Sequence, residues 1–184
     1  WISSAASDVY KRQIVGVTGG ISAYKSAFLV RLLRKNGADV RIVMTQSATK
    51  FVTPLTFQAL SSKPVYTELL DLDTETAMGH IELARWADLI LIAPASANFI
   101  ARYAHGFAED LLSCICLASD SIVVVAPSMN QQMWSNAATQ QIVKSICERG
   151  VQVIGPARGE QACGEDGPGR MIEPEEIVKN TTDI

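Results

Sequence analysis

Five short apolar runs constrain this chain more than any other feature: Ile14–Val17, Val40–Met44, Leu89–Ala93, Ile122–Ala126 and Val151–Ile154. They are rich in Val and Ile and lack strict period-two alternation. A strand with one wet face alternates, so unbroken runs of this length point to strands of a parallel sheet covered on both faces. Between the first two, Ala23–Asn36 places Ala23, Ala27, Val30 and Leu33 at helical spacing, with basic residues near its end and Gly37 as a stop. A second helix is expected over Ala137–Arg149, capped by Asn136 and ended by Gly150. This repeat predicts an α/β fold: a doubly wound parallel sheet in a flavodoxin/Rossmann-like three-layer sandwich.

Right-handed crossovers would bring the carboxyl ends of the strands to one edge, where such sheets bind ligands. At 184 residues the chain has room for one domain, expected over 13–184. Residues 1–12 show no packing pattern and are expected to be a tail outside the fold. Two stretches do not fit simple strand–helix units. Thr45–Asp88 is broken by Pro54 and Pro64 into short helical pieces. Gly155–Met171 holds five glycines and two prolines, and reads as a loop, functional or mobile.

A net charge of −3 argues against a non-specific nucleic-acid or anionic-membrane partner. No run of about 18 apolar residues appears, so no membrane span is expected. The first residues lack a basic stretch followed by an apolar core, so a cytoplasmic protein is expected. Cys114, Cys116 and Cys147 are expected to be small buried hydrophobes in a reducing compartment, and no metal-ligand spacing is present. Cys163 differs, lying in Gln161-Ala162-Cys163-Gly164 among turn formers.

The first strand runs into Thr18-Gly19-Gly20-Ile21-Ser22-Ala23-Tyr24-Lys25-Ser26 and then a helix. Paired glycines there admit close approach of a ligand to backbone N–H groups, and a helix start favours an anion. Lys25-Ser26 looks like the end of an ATP-binding loop, but Tyr24 stands where glycine is required. Gly-x-Gly-x-x-Gly is also absent, which leaves a mononucleotide phosphate or an empty tight turn. Two later runs stop at a proline followed by small polar residues: Pro94-Ala95-Ser96-Ala97-Asn98 and Pro127-Ser128-Met129-Asn130. Both fall at the ligand-binding edge, although Ser and Asn there also suit ordinary helix caps. His80 opens an apolar segment before the third run, and His105 lies beside Gly106 as an expected surface residue. Neither Gly-x-Ser-x-Gly nor His-Glu-x-x-His occurs, which disfavours the commonest hydrolases and zinc peptidases.

Taken together these motifs resemble the family of flavin-containing cysteine decarboxylases, in its phosphopantothenoylcysteine branch. The resemblance spans nearly all of Ile14–Pro174. It lies in Gly19-Gly20; in His80-Ile81-Glu82 before Trp86-Ala87-Asp88; in Pro94-Ala95-Ser96-Ala97-Asn98; in Pro127-Ser128-Met129-Asn130-Gln131-Gln132-Met133-Trp134; and in Ala162-Cys163-Gly164-Glu165-Asp166-Gly167-Pro168-Gly169-Arg170-Met171. It implies FMN as cofactor, contacted by Gly19, Gly20, Ile21, Thr45, Ser47, Ser96, Ala97, Asn98 and Ser128. It implies His80 as active-site histidine, Asn130 as holder of the substrate carboxylate and Cys163 as proton donor. Met133, Ala162 and Gly164 would join Asn130 and Cys163 in binding substrate, with 155–171 as a mobile flap. Ser128 replaces a usual alanine and Phe99 a frequent threonine, so the local flavin contacts differ from the family pattern.

The implied reaction is decarboxylation of 4'-phospho-N-pantothenoylcysteine to 4'-phosphopantetheine in coenzyme A biosynthesis. Oxidation of the cysteinyl group to a thioaldehyde by the flavin provides an electron sink, carbon dioxide leaves, and the enethiolate is re-reduced and protonated. The residue types suit this chemistry. A neutral amide holds a carboxylate without strong charge pairing, an ordinary thiol is protonated at neutral pH, and imidazole titrates near neutrality. The resemblance also implies a homotrimer or a dodecamer of trimers. In bifunctional members a CTP-dependent synthase domain follows at this point, so a fragment of such a protein or an isolated decarboxylase domain is expected. Competing readings are a peptidyl-cysteine decarboxylase of lantibiotic type, a flavin prenyltransferase and a non-catalytic regulatory flavoprotein.

Overall fold

A computed structural model describes residues 12–69 and 79–182 of the chain. Strands β1 (Arg12–Val17), β2 (Asp39–Met44), β3 (Val65–Tyr66), β4 (Leu89–Ala95), β5 (Ile122–Pro127) and β6 (Gln152–Val153) form one sheet, ordered β3-β2-β1-β4-β5-β6. Every pairing in it is parallel. The helices are α1 (Ala23–Lys35), α2 (Pro54–Ser61), α3 (His80–Trp86), α4 (Ala97–His105), α5 (Leu111–Ala118), α6 (Gln131–Ser135), α7 (Ala137–Glu148) and α8 (Pro174–Thr182). None among the described residues is long and apolar enough to cross a membrane.

The continuous apolar runs sort by alternation once the sheet forms. Val15, Val17, Leu89, Leu91, Ala93, Val124 and Ala126 enter one core, beneath α1, α2 and α8. Ile14, Ile90, Ile92, Val123 and Val125 enter the other, with α3, α4, α5 and α7. Gly16 has no side chain because β1 is crowded there: an added Cβ would lie 2.6 Å from both Ile92 Cδ1 and Leu112 Cδ1. Asn136 caps α7 through Oδ1, which accepts from Ala138 N at 2.9 Å, and Gly37 follows α1 at φ +90°.

Several expectations need correction. Arg12 belongs to the fold rather than to a tail: it opens β1 in register with Asp39 and pairs with Asp88. Residues 1–11 of that tail lie outside the described residues. Gly155–Met171 is not a loop throughout. Strands β7 (Ala157–Glu160) and β8 (Asp166–Arg170) pair antiparallel as a separate hairpin, and Gly167 and Gly169 let β8 lie close against Gln131 and Met129. Cys147 is exposed on α7, whose inward position is taken by Ile146; Cys114 is only partly covered and Cys116 alone is buried. Burial pushes the Cys116 thiol up from its ordinary range.

Candidate active site

The strand order reverses between β1 and β4, and a cavity of about 850 Å³ opens at that edge. Three strand ends are stitched together beneath it. Thr18 Oγ1 donates to Pro94 O at 2.7 Å and accepts from Ser96 N at 2.9 Å. Ser26 Oγ donates to Ala93 O at 2.6 Å, and Ser128 N to Ala95 O at 3.0 Å. These polar groups leave the turns after β1, β4 and β5 side by side.

Gly19 and Gly20 line one end of the cavity with Ser47, Ser96, Ala97 and Asn98. A Cβ on Gly19 would sit 2.5 Å from Ser47 Oγ, so a side chain there would displace the neighbouring turn. Thr45 does not reach the cavity; it stands behind Ser47, with the two hydroxyls 3.0 Å apart. Ile21 is 61% exposed at the rim. Ser128 lines the wall and its hydroxyl meets that of Ser22 at 2.8 Å. Capping and ligand exposure coexist here, since Ser96 Oγ accepts from Phe99 N and Asn130 Oδ1 from Gln132 N while both residues line the cavity. Phe99 itself points into the second core and stacks on Tyr103, away from the cavity. Burial pushes the Tyr103 phenol up to about 12.

The hairpin closes the far side. Asn130, Met133, Ala162 and Cys163 all line the space, and Asn130 Nδ2 lies 3.8 Å from Cys163 Sγ. Gly164, with φ +83°, makes the turn at the hairpin tip but does not line the cavity. His80 also stays outside it: α3 buries Leu83 and Ala84 in the second core and leaves His80 half-covered at its start. Within one chain, therefore, two of the three expected catalytic residues meet and the third does not.

Two cavity residues lacked any readable sequence role. Lys25, weighed only as a mismatched ATP-loop lysine, is buried and turned to the base of the hairpin. Its Nζ donates to Met171 O at 3.2 Å and pairs with Glu173 Oε1 at 2.8 Å. That contact, with help from Arg170, holds the Glu173 carboxyl below its usual range. Gln161 sits between Asn130 and Cys163; its proximity to Cys163 was visible, but nothing in the spacing showed what its amide would reach.

The cavity suits a flavin. Its volume falls in the usual range for cofactor sites, two helix starts (α1 and α4) supply anion-favouring ends, and Gly20, where an added Cβ would have nothing within 4 Å, leaves the backbone of the first turn open to a ligand. The fold and this edge define a class of flavin-binding α/β proteins, and the comparisons agree. The model of the family described as "Flavoprotein" matches residues 2–184, and the chain belongs to that family. It is 57% identical over 174 residues to the coenzyme A biosynthesis bifunctional protein CoaBC of Haemophilus influenzae, covering 95% of this chain and 44% of that protein. The chain thus spans less than half the length of the curated relatives it matches. Among solved structures, a cysteine-to-serine mutant of PPC decarboxylase complexed with pantothenoylaminoethenethiol superposes with a TM-score of 0.82 and 33% identity, over 93% of this chain and 96% of that one. The FMN-dependent cysteine decarboxylase SpaF gives 0.79 and 30%, over 98% and 100%.

Proposed function

We propose that the chain catalyses FMN-dependent decarboxylation of 4'-phospho-N-pantothenoylcysteine to 4'-phosphopantetheine, as the decarboxylase part of a bifunctional coenzyme A biosynthesis protein. The observation that supports this best is the pairing of the Asn130 amide with the Cys163 thiol, 3.8 Å apart over a switch-point cavity of cofactor size. The likeness to PPC decarboxylase and to the CoaBC proteins favours the pantothenoyl substrate.

In this reading Gly19, Gly20, Ser47, Ser96 and Asn98 hold the polar end of the cofactor, with Ile21, Ala97 and Ser128 beside them and Thr45 bracing Ser47. Bound FMN would supply reversible two-electron oxidation of the cysteinyl CH2–SH group, which creates the C=S sink for the electron pair released when the carbon–carbon bond breaks, and would return its two electrons afterwards. Asn130 donates through Nδ2 to the substrate carboxylate. Being neutral, it orients the group without the ion pairing that would stabilise the ground state against loss of carbon dioxide. Cys163 delivers a proton from Sγ to the product carbon. Met133, Ala162 and the turn at Gly164 shelter this end, and the hairpin limits the access of water.

His80 completes the reading only if it enters the cavity of a neighbouring copy, in keeping with the proposed homotrimer or its dodecameric assembly. Sedimentation of the purified protein tests that assembly. The activity itself is tested by supplying phosphopantothenoylcysteine to flavin-loaded protein and following carbon dioxide and phosphopantetheine. Formation of both is expected. Loaded protein that releases neither, or that accepts only a peptide ending in cysteine, would replace this reading with the regulatory or the peptidyl one.

A further inference from the structure

We infer that Gln161 is a positioning residue: its amide latches the hairpin to the turn after β5 and orients the Asn130 amide for the carboxylate. The inference rests on the functional reading above for its catalytic consequence, but not for its geometry.

All four hydrogen-bonding positions of the Gln161 amide are used. Nε2 donates to Met129 O and to Pro168 O, both at 3.3 Å. Oε1 accepts from Gln131 N at 3.0 Å and from Asn130 Nδ2 at 3.4 Å. A primary amide offers two donor hydrogens and two acceptor lone pairs, so these four bonds fill it, and Cys163 Sγ, donating at 4.0 Å, shares the Oε1 already engaged. The orientation is unambiguous, because carbonyls only accept and a backbone N–H only donates. One half of the group bridges the strand β8 and the turn after β5; the other half fastens the start of α6.

The consequence for Asn130 is geometric. Its Oδ1 is occupied by Gln132 N at 2.8 Å and one hydrogen of Nδ2 by Gln161 Oε1. The second hydrogen is left to point into the cavity, toward Cys163 Sγ at 3.8 Å. A flipped Asn130 would set its oxygen against Gln161 Oε1 and its NH2 against the Gln132 N–H, and would present a carbonyl to the substrate carboxylate, so Gln161 acts with the Gln132 N–H to exclude the unproductive orientation. The backbone around the latch is shaped for close approach. Met129 N donates to Gly169 O at 2.9 Å, and a Cβ on Gly169 would lie 2.3 Å from Met129 O and 2.9 Å from Gln161 Nε2. Gln131 adds a second tie through Nε2 to Glu165 Oε2 at 2.9 Å.

Two substitutions separate this role from simple packing. Gln161→Leu removes every bond; Gln161→Glu keeps the acceptors but, when ionised, sets a carboxylate against Met129 O and Pro168 O. Protonation restores a donor, so Gln161→Glu is expected to recover as pH falls through the carboxylate range. The ionisable residues around the position are Glu160, Cys163 and Glu165 of the hairpin, Asp166 paired with Arg158, and Arg170; residues 128–133 carry none. These are common to wild type and variants, so the ratio of variant to wild type isolates the introduced acid.

The experiment measures hydrogen exchange at the Gln131 and Met129 amides together with kcat and KM, across pH, in flavin-loaded protein. Gln161→Leu is expected to lose Gln131 amide protection and about 10²-fold in kcat, the scale of a misplaced reactive group. Gln161→Glu should regain both on acidification while Gln161→Leu does not. Unchanged Gln131 protection in Gln161→Leu would overturn the latch, and lost protection with wild-type turnover would overturn its role in positioning. Wild-type protein without decarboxylase activity would instead refute the functional reading, with the exchange data still deciding the latch.

Discussion

The two walls of the cavity are held by different forces. The wall made by the turns after β1 and β4 hangs from a buried parallel sheet: Ile14, Val15, Leu89 to Ala93 and their neighbours are fully covered. The opposite wall, the β7–β8 hairpin, has an exposed tip from Ala162 to Asp166 and is tied down by side-chain amides and one buried ammonium. Burial of apolar area is non-directional and collective, whereas the hairpin depends on a few bonds whose loss is felt singly. The first wall should therefore fail by unfolding, and the second by losing turnover while the protein stays folded.

The sharpest break of that contrast is Asn130→Asp, which sets a carboxylate against the substrate carboxylate. Turnover should fall by roughly 10³-fold or more while flavin stays bound, read from the yellow colour and from carbon dioxide release. Next, Cys163→Ser should release carbon dioxide but slow final product formation by about 10²–10⁴-fold, the usual worth of a positioned acid. An oxidised, decarboxylated thiol compound would then accumulate, visible by mass spectrometry.

Gly16→Ala tests the other wall. Its Cβ must displace Ile92 and Leu112, and overpacking of this kind costs about 1–3 kcal/mol. Denaturant unfolding should show that loss with kcat nearly unchanged. An equal loss of stability in Gly169→Ala, whose Cβ would meet Met129 O at the hairpin, would erase the proposed distinction.

The smallest effect concerns pH. Lys25 holds the Glu173 carboxyl below its usual range, so their tie is present above the unfolded carboxylate value and disappears as pH falls through the lowered folded one. Hairpin amide protection should drop a few-fold on acidification and lose that dependence in Glu173→Gln. Solvent screening keeps it small, since the Glu173 side chain is 51% exposed.

Much of this organisation was legible in the residues. The Val- and Ile-rich runs forecast the sheet, Asn136 and Gly150 marked α7, and the Gly19-Gly20, Pro94 and Pro127 turns foretold which strand ends would meet. Other features were not. Glycines and prolines at 155–171 break periodicity whether they form a loop or a hairpin, so β7 and β8 left no pattern. Arg12 lies outside the apolar run, and its place in β1 depends on pairing with Asp39 and on Asp88, which is distant in sequence. Cys147 could not be placed because a small thiol suits either face of a helix.

By itself the sequence determined the layers, since burial on both faces of a strand demands side chains whose hydrophobicity can be read one residue at a time. It also determined the chemical vocabulary at the strand ends: small hydroxyls, amides, glycines and one thiol. Only the tertiary structure decided which of these groups touch. Lys25, in the cavity lining, reached Met171 and Glu173, Gln161 reached across to Asn130, and His80 remained outside the cavity of its own chain. Hydrogen bonds between distant segments depend on distance and direction in space, and neither is encoded in local spacing.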